Sequence, residues 1–72
     1  MKQEEFEALK KDAEKGDAQS QNDLAVCYEL GEGVEQSFEK AAEWYKKAAK
    51  QGHEDAGYCL AVARAYGNAL YI

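Results

Sequence analysis

Lys10-Lys11-Asp12-Ala13-Glu14-Lys15-Gly16 returns 36 residues later as Lys46-Lys47-Ala48-Ala49-Lys50-Gln51-Gly52, with both lysines, one alanine and the glycine in place. The same shift carries Glu7 onto Glu43, Leu24-Ala25-Val26 onto Leu60-Ala61-Val62 and Gly31 onto Gly67. Self-similarity at a fixed period of about 20 to 50 residues marks a repeat architecture. One unit of such an array cannot bury its apolar face alone, so neighbours stack and together present a recognition surface. The period therefore predicts a binding module.

Outward from that stretch, the apolar spacing is helical throughout. Segment 2–15 carries Phe6, Leu9 and Ala13 with charges between them, the stripe of an amphipathic helix. Gly16 can take the left-handed conformation that ends a helix, and Asp17 can accept from the free amides of the next one. Segment 17–30 places Ser20, Leu24, Cys27 and Tyr28 on one face. Gly31-Glu32-Gly33-Val34 is a loop, with Val34 expected to plug it into the core. Ser37 is a good N-cap for a third helix over 37–51, whose stripe is Ala41, Trp44, Tyr45, Ala48 and Ala49. A fourth helix over 54–66 uses Ala56, Leu60 and Ala63, with Gly67-Asn68 as its stop and Ala69-Leu70-Tyr71-Ile72 as an apolar tail. Short loops favour antiparallel neighbours. The expected fold is all-α, an α-solenoid of four antiparallel helices and roughly two repeats.

Composition narrows the function. Seventy-two residues make one small domain near the lower limit for a self-sufficient core. Arrays usually want about three units, so a second copy or a longer parent protein is a plausible source of further contacts. The formal net charge is −5 and the single arginine is Arg64, which disfavours nucleic acid, since phosphate binding needs clustered cations. No apolar run approaches the roughly 20 residues of a membrane span. The acidic start Met1-Lys2-Gln3-Glu4-Glu5-Phe6-Glu7 is unlike a secretory signal, so the cytoplasm is the expected compartment.

Several of these residues together carry a family resemblance. Gly16-Asp17-Ala18-Gln19-Ser20-Gln21, Leu24, Tyr28, Gly31-Glu32-Gly33-Val34, Lys40-Ala41, Trp44-Tyr45-Lys46-Lys47-Ala48-Ala49 and Gln51-Gly52 follow one another as in a Sel1-like repeat. The chain resembles that family over almost its whole length: a B-type helix at 2–15, a full repeat at 17–51, and a partial repeat with a C-terminal cap at 53–72, all in one domain spanning 1–72. The resemblance implies helix-turn-helix units in a right-handed superhelix related to tetratricopeptide arrays. It also implies an adaptor or scaffold role, often in bacterial signalling or envelope processes. Departures from the pattern are Ala25 and Ala61 in place of glycine, Arg64 at the position of Tyr28, and His53 in place of the helix-starting aspartate, so the second unit looks degenerate.

No catalytic or metal-binding constellation is present. His53, Glu54, Asp55 and Cys59 open a helix, but no second His or Cys stands at a zinc-like spacing from His53. A Cys–His nucleophile pair lacks a third, orienting group. Cys59 is equivalent to Asp23, one turn before Cys27, and that offset adds to a helix spacing of roughly 8–10 Å. The sum exceeds the ~7 Å limit for a disulfide, so both thiols are expected to be free. Glu32, Glu35 and Glu39 read as a solvated acidic surface, and Trp44-Tyr45 as core rather than a ligand platform. No cofactor is expected.

The remaining face carries the functional expectation. In related arrays the A-type helices line the inner surface. Subtracting the buried stripe leaves Gln19, Asn22, Asp23 and Val26 facing away on the second helix, and Asp55, Tyr58, Cys59 and Val62 on the fourth. Asn22 and Asp23 would hydrogen-bond a peptide backbone, while Val26, Tyr58 and Val62 supply an apolar anchor; Tyr58 leads because tyrosine is enriched at binding hot spots. The expected partner is therefore a protein or peptide. The alternative is a structural unit that self-associates into a homo-oligomer or sits within a longer array, with Leu70, Tyr71 and Ile72 buried as a cap or in a second subunit.

Overall fold

Each glycine break separates two helices in the computed structural model. The helices are α1 (Gln3–Glu14), α2 (Ala18–Leu30), α3 (Phe38–Lys50) and α4 (Glu54–Ala69). The structure describes the backbone of residues 3–69 and the side chains of residues 3–62 and of Ala65. The expectations placed on Ala63, on Arg64 and on the tail Leu70-Tyr71-Ile72 lie outside the described residues.

The three internal caps follow the sequence. Asp17 Oδ1 accepts from the Ser20 amide at 3.1 Å, and Ser37 Oγ from the Lys40 amide at 3.2 Å. His53 Nδ1 takes the third place, accepting from the Ala56 amide at 3.1 Å, three residues on as at the other two. Each satisfies one of the amides that a helix start leaves without an intrahelical partner. At the other end of α2, Gly31 adopts φ 73°, and the Gly31 and Glu32 amides both close on Cys27 O at 2.8 and 2.9 Å. That left-handed turn is one a side chain resists. The loop is then tied back by Ser37 N–H to Tyr28 O at 2.8 Å and by Gln36 Nε2 to Glu29 O at 2.7 Å.

The expected stop at Gly67-Asn68 is a correction: α4 continues through both to Ala69. Glycine in a helix costs only about 1 kcal/mol. It permits a helix to stop without requiring it.

Neighbours run antiparallel. Phe6 meets Tyr28 edge-on at 5.7 Å, while Gln21 Nε2 donates to Ala13 O at 3.0 Å, so α1 and α2 cross in opposite directions. Tyr28 with Lys40, and Gln21 with Gln51, do the same for α2 and α3. Helices α2 and α4 consequently run parallel, side by side, each against α3. The core consists of Phe6, Ala13, Leu24, Ala25, Cys27, Tyr28, Ala41, Tyr45, Ala48 and Ala56. Burial of Leu24 alone contributes about 1.5–3 kcal/mol, and the alanines let helix backbones approach closely. Val34 packs against this core as expected, with Leu9, Trp44, Ala49 and Leu60 half-buried around it.

One core member was not anticipated. Gln21 is buried, its amide nitrogen on Ala13 O and its carbonyl oxygen accepting from Gln51 Nε2 at 2.9 Å. A buried amide is tolerable only when it is hydrogen-bonded. Here that requirement ties the end of α1 to the end of α3 through α2.

Candidate functional site

Packing α2 and α4 in parallel brings two equivalent stripes together. The first holds Gln19, Asn22, Asp23 and Val26, and the second Asp55, Tyr58 and Val62. Gln19, Asp23 and Asp55 are exposed, Val26 and Val62 half-buried, and Tyr58 stands 75 % exposed. Two residues of the first stripe belong to one hydrogen-bond chain. A backbone amide can only donate, so His53 Nδ1 carries the lone pair and the ring proton sits on Nε2. Nε2 donates to Gln19 Oε1 at 2.9 Å, and Gln19 Nε2 donates in turn to Asp23 Oδ1 at 2.9 Å. The cap of α4 thereby fixes two polar side chains on α2.

Asn22 and Cys59 sit differently from the stripe that spacing suggests. Asn22 is half-buried, and its Oδ1 is shut off from solvent with no hydrogen-bond partner. Cys59 packs against the core, half-buried, near the Tyr45 hydroxyl. The same hydroxyl donates to Glu29 Oε2 at 2.8 Å. Burial, with the bond to Glu29 and its charge, pushes the Tyr45 phenol far above its ordinary value and keeps it neutral. Neither Cys27 nor Cys59 is in a disulfide. Burial raises Cys27, helped by the nearby charges of Glu32 and Asp23.

Around the corner from the stripes, α1 and α2 enclose a groove of about 480 Å³. Leu9, Val26 and Cys27 give it an apolar floor, and Glu5, Asp12, Asp23 and Glu32 rim it with carboxylates. Sequence reading placed Asp23 and Val26 on a face of α2 alone and missed the contribution of α1. Trp44 is half-buried beside α1, with Lys47 Nζ 4.2 Å over its ring; that cation–π contact caps the indole at a helix edge. Among the described residues no three His, Cys, Asp or Glu side chains gather as a metal site would require, and no helix is long and apolar enough to cross a membrane.

Comparison with known proteins adds to this geometry. The family model of the Sel1 repeat matches residues 18–53, half of the chain. DAP3-binding cell death enhancer 1 of Rattus norvegicus is 43% identical over 44 residues. That match covers 61% of this chain but only 9% of the rat protein, so the chain spans a small part of that relative's length.

Proposed function

The chain belongs to the Sel1 repeat family, whose repeats are generally non-catalytic protein–protein interaction modules, and we propose that it binds a protein or peptide segment through the paired α2 and α4 stripes. One observation carries the reading: Tyr58, a large amphipathic side chain, stands 75 % exposed beside the half-buried Val62. An aromatic ring with an apolar body and a polar tip suits a partly wet interface. Next to it, Asp23 and Gln19 are held in place by the His53 chain. Groups ordered before binding lose less entropy on binding. The name of the rat relative describes a protein-binding protein, which agrees with this role. An adaptor or scaffold in the cytoplasm is the setting that fits it.

The test is a peptide-display selection on the folded chain, followed by affinity measurement on variants. Peptides of the proposed mode lose about tenfold or more on Tyr58→Ala, the loss of a hot spot. They keep their affinity on Leu30→Ala, which removes the other large apolar side chain exposed among the described residues, 60 % exposed and outside the two stripes. Equal binding to both variants would sink the assignment of this face.

A further inference from the structure

The groove between α1 and α2 has a counterpart inside the molecule whose occupant is visible. The 36-residue period carries Glu5, Leu9 and Asp12 of α1 onto Ala41, Tyr45 and Ala48 of α3. It carries Asp23 and Val26 of α2 onto Cys59 and Val62 of α4. Ala41, Tyr45 and Ala48 are fully buried, and the element that packs on α3 alongside α4 is α2 itself. The α1–α2 groove is thus the repeat-equivalent of the seat that α2 fills on α3 and α4. We propose that it receives one amphipathic helix from a partner protein, lying as α2 lies on its own seat, with lysine or arginine flanking its apolar stripe.

Charge selects the occupant. Where the filled seat offers Ala41, Ala48 and Cys59, the open one offers Glu5, Asp12 and Asp23, with Glu32 at the rim. Covering these carboxylates with a neutral or acidic helix would leave charges desolvated and unpaired. A second copy of this chain is therefore a poor occupant: of its A-type helices, α2 contains Asp23 and Glu29 and no lysine or arginine, and α4 sets Glu54 and Asp55 against a single arginine. The filled seat also shows where a cation belongs. Glu29 of α2 reaches the Tyr45 hydroxyl, which has Cys59 nearby. The equivalent side chain of a docked helix would arrive between Leu9 and Asp23, where a lysine finds a carboxylate. At the other end, Gln19 meets His53, the counterpart of Asp17, so a second lysine there faces Asp17.

This inference uses the Sel1 architecture and shares Asp23 and Val26 with the α2 stripe, but not Tyr58 or Val62 of α4, and the experiment separates the two. The probe is a synthetic peptide with the sequence of residues 17–31 carrying Gln19→Lys and Glu29→Lys, titrated into the isotope-labelled full chain and followed by NMR. Saturable shifts at Leu9 and Cys27, with little change at Tyr58, are the expected result. The double variant Glu5→Lys/Asp12→Lys should bind at least tenfold more weakly. Both positions are exposed, so the variant should keep its helicity, checked by circular dichroism. A peptide of the unaltered 17–31 sequence should also bind at least tenfold more weakly, and high salt should weaken the basic probe, because rim charges are screened. Shifts centred on Tyr58 and Val62, equal affinity for the two peptides, or groove shifts from self-association without peptide would each overturn the proposal.

Discussion

Replacing Tyr45 by phenylalanine removes one oxygen from the most enclosed aromatic side chain of the core, and the structure says what that oxygen does. The hydroxyl donates to Glu29 Oε2 at 2.8 Å, joining α3 to α2. A hydrogen bond to a charged acceptor contributes about 1.5–3 kcal/mol. Glu29 is half-buried and regains some water when the phenol is lost, so the lower end applies, about 1.5 kcal/mol. For a domain this small, that lowers the melting temperature by about 6–12 °C. The pH dependence is a second, independent signature. The folded chain holds the Tyr45 proton well above the ordinary phenol value, whereas the unfolded chain releases it near about pH 10. Above that pH the unfolded state binds fewer protons, so stability falls as pH rises, by at most about 1.4 kcal/mol per pH unit; below it the contribution is fully present. Urea denaturation of both proteins, from neutral pH to about pH 11, should show a steeper alkaline decline in the parent than in Tyr45→Phe. The raised Cys27 thiol is common to both and cancels. Equal stability at neutral pH, or parallel alkaline limbs, would refute the assigned role of the hydroxyl.

Three further substitutions have defined outcomes. His53→Ala removes the cap of α4 and should cost about 0.5–2 kcal/mol in chemical denaturation, while His53→Asp should recover most of it, since Asp17 does the same work at the equivalent position. Gly31→Ala places a Cβ at φ 73°, 3.4 Å from Gln36 Cβ, and should lower stability by about 1–2 kcal/mol; a neutral result would mean that the loop relaxes freely. Asn22→Ala deletes a shut-in acceptor with no partner and improves helix propensity, so thermal melts should show a gain of roughly 0.5–1 kcal/mol. A loss instead would mean that the amide has a structural partner.

The helices were legible because apolar spacing and a glycine break agree in each, with the capping residues Asp17 and Ser37 adding a third signal for α2 and α3. Phe6 and Ala13, Leu24 and Tyr28, and Ala41, Tyr45 and Ala48 are all buried on the faces that spacing predicts. The buried Gln21 was not legible, because its burial depends on Ala13 O and Gln51 arriving from two other helices. Composition classes glutamine with the surface, and only the tertiary arrangement reverses that. The end of α4 was misread for a related reason: Gly67-Asn68 permits a stop without requiring one. On the α2 and α4 stripes, spacing identifies the outward side but not the depth of each position. Cys59 is half-buried against the core, whereas Tyr58 is exposed. The groove was hidden because Glu5 and Asp12 look like ordinary solvated charges on α1 until α2 lies beside them.

The alanines of the core make tolerance to sequence drift one-sided. Ala13, Ala25, Ala41, Ala48 and Ala56 are at most 1 % exposed, and they sit where helices touch. At such a position no smaller side chain remains except glycine, so the usual route to damage, hollowing the interior, is nearly closed. The opposite route is open. Each added methyl must push two helix backbones apart, at about 1–3 kcal/mol per site, and the displaced helix carries its half of the proposed binding face with it. Wear on this fold would come as jamming, and a single valine at Ala48 or Ala56 would misalign the α2 and α4 stripes before it unfolded the chain.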